Sequence, residues 1–473
     1  MESPFQKGCQ PFPEETENTG ENDDCIKVLD YSYLCNSDNK MKRVLVISYY
    51  WPPSGGSGVQ RWVKFSKYLP AEGWQPVIYT PENPERQSFD RSLEADVPSC
   101  AEIVKRPITE IYSVYRNLTG KEASKSEVNV VNHQKKSLAG RIMMWIRGNM
   151  FIPDPRVSWV KPSIKFLKEY LNEHPVDVIV STGPPHSMHL IAKGVAKATG
   201  IPWVADFRDP WTKLFYFKHL HLSASSRKKH EKLEKSVLDQ ADTVVAVSPF
   251  VQEEFRQMTS TPVQLITNGF DPDDFKDVEE KDGMFNLTHT GLFASDGNPT
   301  MLWEALSELC GEIPLLKKFL RIRLCGKTDP QITDSIKAAG LEGHLIDLGY
   351  QPHNIATREQ MNASVLLLPL RKEPEYRATL PGKLFEYLGS LNPILGIGQS
   401  DGAMAGILSS TGAGKCIDWD EKDKIKDFIK EQWQRFVDGE SGVEPGNILP
   451  YSRKSTAHQM AALLDSLTEN KQR

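Results

Sequence analysis

Met41-Lys-Arg-Val-Leu-Val-Ile-Ser-Tyr-Tyr50 runs into Trp51-Pro52-Pro53 and then into Gly55-Gly56-Ser57-Gly58. A periodic segment from Val59 to Leu69 follows, Gly73 ends it, and Pro76-Val77-Ile78-Tyr79 comes next. The run from Val44 to Tyr50 is apolar and β-branched, the composition of a buried strand. The segment after the glycines repeats its apolar residues at helical spacing, with Val63 and Tyr68 among them. Strand, glycine-rich turn, helix and strand make a βαβ unit, whose two strands must run parallel.

The pattern recurs along the chain. Val176-Asp-Val-Ile-Val-Ser181 reads as a strand, Pro185 to Thr199 as a helix and Pro202-Trp-Val-Ala205 as a strand. Lys228 to Asp239 is helical, Thr243-Val-Val-Ala-Val-Ser248 is a strand, and Val263 to Ile266 is a last short strand. Asp271 to Asp282 then holds seven acidic residues and no periodicity, and the linker between domains is placed there. The alternation restarts with Phe285 to Thr290, Arg321 to Cys325, His344 to Leu348, Ser364 to Leu368 and Ile394 to Gly396, and Thr456 to Leu467 is a terminal helix. Expected are two doubly wound α/β domains, 41–270 and 283–450, a linker at 271–282, and a C-terminal segment 451–473 that returns to the first domain.

Composition removes other classes. The chain has 473 residues, 39% hydrophobic and 25% charged, with a formal net charge of -5. It carries no global signal for nucleic acid. No run of about 18 apolar residues, the length of a transmembrane helix, occurs. No charged n-region with an apolar h-region opens it, so a secretory signal is not expected. The seven cysteines, at 9, 25, 35, 100, 310, 325 and 416, show no metal-binding spacing and suit a reducing cytoplasm. Residues 1–40 hold nine Asp or Glu against three Lys. They are expected to form a disordered acidic extension, with Met41 a natural start for the folded chain.

Chemistry concentrates in Pro381-Gly382-Lys383-Leu384-Phe385-Glu386-Tyr387-Leu388-Gly389-Ser390-Leu391-Asn392-Pro393-Ile394-Leu395. The N-terminus of a helix favours anions through its unsatisfied N–H groups. Lys383 adds a full positive charge there, and Glu386 can accept hydrogen bonds from sugar hydroxyls. Phosphate and ribose are what a nucleotide offers. A solvated i,i+3 pair is the plain alternative.

This segment resembles the nucleotide-sugar-binding stretch of GT-B glycosyltransferases of the family 4 type, in which Pro-x-Lys-x-x-Glu-Tyr-Leu precedes a Pro-Ile-Leu strand. The resemblance implies the GT-B architecture, α/β with two Rossmann-like doubly wound domains facing a cleft. It also assigns the other motifs. Gly55 and Gly56 would lie beside the donor's sugar and phosphates, with Ser57 and Arg61 on the acceptor side. His186, in Ser181-Thr182-Gly183-Pro184-Pro185-His186-Ser187, would face the transferred sugar. Asp206-Phe207-Arg208-Asp209-Pro210-Trp211 would border the acceptor. There Asp206 and Asp209 are candidate acid–base groups, or else a clamp on Arg208. Asn268, in an Asn-Gly-Phe-Asp hinge, Gly291 and Gly326 complete the donor side. Each of these motifs also has a purely structural reading, as a turn, a cap or an ion pair.

Two departures stand out. The family pattern has a second Glu where this chain has Ala378, and an Arg or Lys after its Gly291 where this chain has Leu292. Arg371, Lys372 or Arg377 is expected to supply charge to the diphosphate instead. Residues 135–168 hold eight Lys or Arg against one Asp, and Leu138 to Met150 combines that charge with Ile142, Met143, Trp145 and Ile146. This is the composition of a helix lying on an anionic membrane, or of an amphipathic helix packed on its own domain.

The expected activity is transfer of a sugar from a nucleotide diphosphate sugar to a surface glycan or lipid-linked saccharide, with retention. It would need no metal or other cofactor and would take place in the cytoplasm or at the inner face of the plasma membrane. The alternatives are a nucleotide-sugar epimerase, or a silent GT-B module that binds nucleotide sugar or glycan without turning it over.

Overall fold

The computed structural model describes residues 41–85, 89–108, 145–213, 217, 220–276, 281–440, 442–444 and 447–470. The acidic extension 1–40, most of the basic stretch 138–150 and part of the expected linker (277–280) lie outside them. The described residues divide into two compact units, 41–267 with 454–470, and 268–453.

The first unit is built on seven parallel strands: β1 (Lys42–Ile47), β2 (Trp74–Pro81), β3 (Glu102–Arg106), β4 (Val178–Gly183), β5 (Trp203–Phe207), β6 (Thr243–Ala246) and β7 (Val263–Leu265). Their order is β3-β2-β1-β4-β5-β6-β7. Helices α1 (Ser57–Tyr68), α2 (Val160–Glu173), α3 (Ser187–Thr199), α4 (Ala224–Leu238) and α5 (Pro249–Met258) connect them. Val44 to Ile47 of β1 are wholly buried, as befits a parallel strand covered on both faces. The starts of α4 and α5 follow from their caps. Ser223 accepts from the Ser226 N–H at 3.1 Å, and Ser248 caps α5 just ahead of Pro249.

The second unit has six parallel strands: β8 (Phe285–Thr290), β9 (Leu320–Cys325), β10 (Leu345–Gly349), β11 (Val365–Pro369), β12 (Ile394–Ile397) and β13 (Gly414–Ile417). They are ordered β10-β9-β8-β11-β12-β13. Its helices are α6 (Thr300–Glu312), α7 (Pro314–Phe319), α8 (Pro330–Ala338), α9 (His353–Met361), α10 (Gly382–Gly389), α11 (Ala403–Thr411) and α12 (Lys422–Val437). The last helix, α13, spans Arg453–Asn470. Its Ala457, Met460, Ala461 and Leu464 are buried in the core of the first unit.

Both sheets reverse their winding once, between β1 and β4 and between β8 and β11. In doubly wound sheets ligands bind outside the carboxyl ends of the strands at such a switch point. The chain passes from the first unit to the second at 267/268, ahead of the acidic stretch in which the linker was expected. Phe270 and Phe275 explain the difference, because both are buried in the second unit's core and draw the acidic turn Pro272–Phe275 with them. At this crossing Phe270 pairs in parallel with Ser452. A Cβ on Gly269 would stand 2.5 Å from the Tyr451 carbonyl, so the two chains can lie side by side only over a glycine.

Candidate functional site

In the second unit four sequence-predicted residues converge at the switch point. Gly291 follows β8 with φ of 91° and Gly326 follows β9 with φ of 148°, both in the region that favours glycine. The Gly291 N–H donates to the Cys325 carbonyl at 2.6 Å. A Cβ on Gly326 would overlap the Gly291 carbonyl, and a Cβ on Gly291 would overlap the Lys383 ammonium. Lys383, the second residue of α10, therefore lies across Gly291. It forms no hydrogen bond or ion pair with any described residue. Burial pulls its pKa down, and Glu386 one turn along pulls the other way.

Glu386 is braced from beneath. Gln360, fully buried on α9, donates one amide hydrogen to Glu386 Oε2 at 3.2 Å and the other to Thr290 Oγ1 at 3.0 Å. The Tyr387 hydroxyl accepts from the Thr290 N–H at 2.9 Å. Thus the ends of β8 and β9, the start of α10 and the face of α9 make one assembly. Beside it His289 is buried and hydrogen-bonds the Leu367 carbonyl through Nδ1 at 3.0 Å. Its pKa is lowered to about 4, by burial first and then by Lys383.

The remaining donor-side candidates lie elsewhere. Arg377 does not join Lys383 but pairs with Asp401 at 2.8 Å. Lys372 pairs with Asp420 at 3.2 Å and Arg371 with Asp296 at 3.0 Å. Asn268 stands at the crossing, where its Oδ1 receives Arg453 Nη1 at 3.5 Å. Leu292 is 51% exposed, an apolar side chain where the resemblance called for a cation.

In the first unit the expected motifs also meet at the carboxyl ends of β1, β4 and β5. Gly56, with φ of 100°, ends the glycine turn after Gly55, and Ser57 opens α1. Arg208, just past β5, donates to the Gly58 carbonyl at 2.6 Å and to the Pro184 carbonyl. It ties together the loops that carry Gly55, Gly56 and His186. The His186 ring is 4% exposed and stacks on Trp211 with centroids 4.6 Å apart and planes 3° apart. Neither ring nitrogen has a hydrogen-bond partner among the described residues. Burial, then neighbouring His189, Arg208 and His230, hold its pKa well below 6.5, so the ring is neutral. A Cβ on Gly183 would press on His186 Nδ1 and His189 Nε2, which makes that glycine a spacer for both rings. Asp209 is exposed beside Arg208.

Asp206 and Arg61 correct the sequence expectation. Both are 0% exposed and occupy each other. Arg61 contacts Asp206 Oδ1 at 2.9 Å and also donates to the carbonyls of Ile266 and Thr267 at 2.9 and 2.8 Å. Asp206 accepts further from Trp62 Nε1 at 2.8 Å and from Thr182 Oγ1 at 3.0 Å. A carboxylate that already accepts from four donor atoms (Arg61 Nε and Nη2, Trp62 Nε1 and Thr182 Oγ1) and sees no solvent has no place left for an acceptor sugar. Burial alone would raise its pKa, but Arg61 and Trp62 overcome this and hold it below the usual range. The clamp partner is Arg61, not the neighbouring Arg208.

Gln360, Thr290 and Trp211 are the residues that sequence reasoning did not assign. Trp211 closed a motif already under scrutiny, whereas Gln360 lies in a helix without any motif and becomes visible only through its contact with Glu386.

Residues 56–274 match the family model described as Glycosyltransferase Family 4. No curated protein matches the chain by sequence. Among solved structures, the sucrose-phosphate synthase of Thermosynechococcus elongatus is similar at 14% identity and a TM-score of 0.58, over 91% of this chain and 100% of that one. A glycosyltransferase of Rickettsia africae is similar at 12% identity and a TM-score of 0.57, over 91% and 99%. An α,α-trehalose-phosphate synthase (UDP-forming) of Burkholderia vietnamiensis is similar at 10% identity and a TM-score of 0.55, over 90% and 100%. The chain therefore has the GT-B fold, and its residues 56–274 are similar to the Glycosyltransferase Family 4 model.

Proposed function

We propose that this protein is a glycosyltransferase that moves a sugar from a nucleotide diphosphate sugar to a glycan or lipid-linked saccharide, with retention. The observation that carries the reading is Lys383. Its ammonium lies over Gly291 at the switch point with no partner among the described residues, on the first turn of α10, with the braced Glu386 one turn further. Lys383 and the α10 N-terminus offset the charge of the leaving diphosphate. Glu386 accepts from the ribose hydroxyls. In the first unit, neutral His186 offers an N–H to a hydroxyl of the transferred sugar, and exposed Asp209 faces the acceptor. Asp206 and Arg61 hold the scaffold beneath them. The family 4 match supports a transferase, and the UDP-forming neighbour supports a nucleotide leaving group.

A peripheral membrane contact belongs to the same reading. Residues 145–150 are helical, and Trp145 and Met150 are 47% and 65% exposed. Among the described residues no helix is long and apolar enough to cross a membrane. The place of work we propose is the cytoplasmic side of a membrane that supplies the acceptor.

The test is calorimetric titration with UDP, GDP, ADP, dTDP and CMP, repeated on Lys383→Ala and Glu386→Ala. Micromolar binding of one nucleotide is expected, weakened about tenfold or more in each variant, because a hydrogen bond to a charged group contributes roughly 1.5–3 kcal/mol. Absence of binding to all five would overturn the assignment. The specific features that favour a silent module are Ala378 and Leu292. Nucleotide binding without any turnover of sugar nucleotides, with or without saccharide acceptors, would select that reading.

A further inference from the structure

We infer that Gln360 is a positioning residue that sets the carboxylate of Glu386 for the ribose hydroxyls of the nucleotide, a role that rests on the donor-site reading above. The geometry leaves the amide one orientation. Both hydrogens of Nε2 are engaged, at 3.2 Å to Glu386 Oε2 and at 3.0 Å to Thr290 Oγ1. A flipped amide would turn its carbonyl oxygen onto the carboxylate, which only accepts. The backbone under Gln360 is fixed as well, since its carbonyl accepts from Asn392 Nδ2 at 2.8 Å.

The brace also closes on itself. Thr290 Oγ1 accepts from Gln360 and donates to the Tyr387 hydroxyl at 3.4 Å, and Tyr387 follows Glu386 on α10. Glu386, Gln360, Thr290 and Tyr387 thus form a ring that spans α9, β8 and α10. One carboxylate oxygen of Glu386 is held by this ring, and the other is left for a ligand. A partly buried glutamate has several rotamers, and fixing one of them before the ligand arrives lowers the entropic cost of binding. Gln360 Oε1 itself has no partner among the described residues, although the residue is 1% exposed. A residue selected only for packing would not be an amide with an unsatisfied oxygen in a core.

The experiment compares ribose with dideoxyribose. Wild type, Gln360→Met and Glu386→Ala are titrated with UDP, GDP and ADP and with the 2′,3′-dideoxy analogue of each, alongside thermal melts. Expected is a loss of about fivefold to tenfold in affinity for the ribonucleotide in Gln360→Met, with the dideoxy analogue bound equally by wild type and variant. The double variant Gln360→Met/Glu386→Ala should bind as weakly as Glu386→Ala alone. Should Gln360→Met not fold, Gln360→Glu replaces it. Its affinity for the ribonucleotide should fall as pH rises from 5 to 8 and the new carboxyl ionises against Glu386, with no such trend for the dideoxy analogue. Equal weakening for both sugars, or additive losses in the double variant, would overturn the positioning role while leaving the donor site in place. A wild type that binds none of these three, nor dTDP or CMP, would overturn the donor site itself, and the role of Gln360 with it.

Discussion

At the scale of single residues, the most consequential contact is the buried ion pair of Arg61 and Asp206. Two charges without solvent persist only when their hydrogen-bonding capacity is filled, and here Trp62, Thr182 and two carbonyls fill it. Removing one partner strands the other charge, so Arg61→Ala or Asp206→Ala should lower stability by about 3–5 kcal/mol, read as a shift of the urea midpoint. A stable but inactive Asp206→Ala would return that carboxylate to the chemistry. The sequence showed that an acid lay at the end of a strand, which is where ligands and clamps both occur. It did not show which arginine the acid would meet, because Arg208 is near in the chain and Arg61 is near only in the fold. Lys383 and Glu386 were legible for the opposite reason. They share one helical turn, so their spacing alone sets them side by side.

At the scale of elements, function depends on how strands end. Gly291 and Gly340 both have positive φ, 91° and 76°, but nothing lies within 4 Å of a Cβ at 340, whereas one at 291 overlaps Lys383. Gly291→Ala should therefore weaken nucleotide binding about tenfold or more, by displacing the ammonium. Gly340→Ala should cost only the backbone strain of roughly 1–2 kcal/mol and leave the titration unchanged. Equal affinities in the two variants would argue that Lys383 does not serve the nucleotide. The interior strands β1, β4, β11 and β12 were legible as apolar runs because helices cover both faces. Of the four edge strands, β7 and β10 kept enough apolar residues to be read, but β3 and β13 did not. Glu102-Ile-Val-Lys-Arg106 and Gly414-Lys-Cys-Ile417 lie at the rims of their sheets, where half-buried and exposed positions dilute the pattern.

At the scale of the whole molecule, buried histidines make stability depend on pH. Burial lowers the pKa of His189 to about 3 and of His230 and His289 to about 4, from an ordinary 6.5. Each titrates lower in the folded chain than in the unfolded one. Their contribution is complete above pH 6.5 and is lost as pH falls from there toward about 4, at about 1.4 kcal/mol per pH unit for each histidine. His186, His189 and His230 lie in the first unit and His289 in the second. Calorimetric melts between pH 7.5 and 5 should show the first unit losing stability faster on acidification. Transitions that hold still over that range would contradict the burial of these rings. The terminal helix adds a consequence of another kind, for biosynthesis. The first unit begins at the ribosome with β1, yet Ala457, Met460, Ala461 and Leu464 complete its core, and Asp465 pairs with Lys42 of β1 at 2.6 Å. Residues 268–453 are made in between and hold all of the described residues of the second unit. The half translated second is thus free to finish folding first, while the half translated first keeps an apolar seam open to chaperones until α13 emerges.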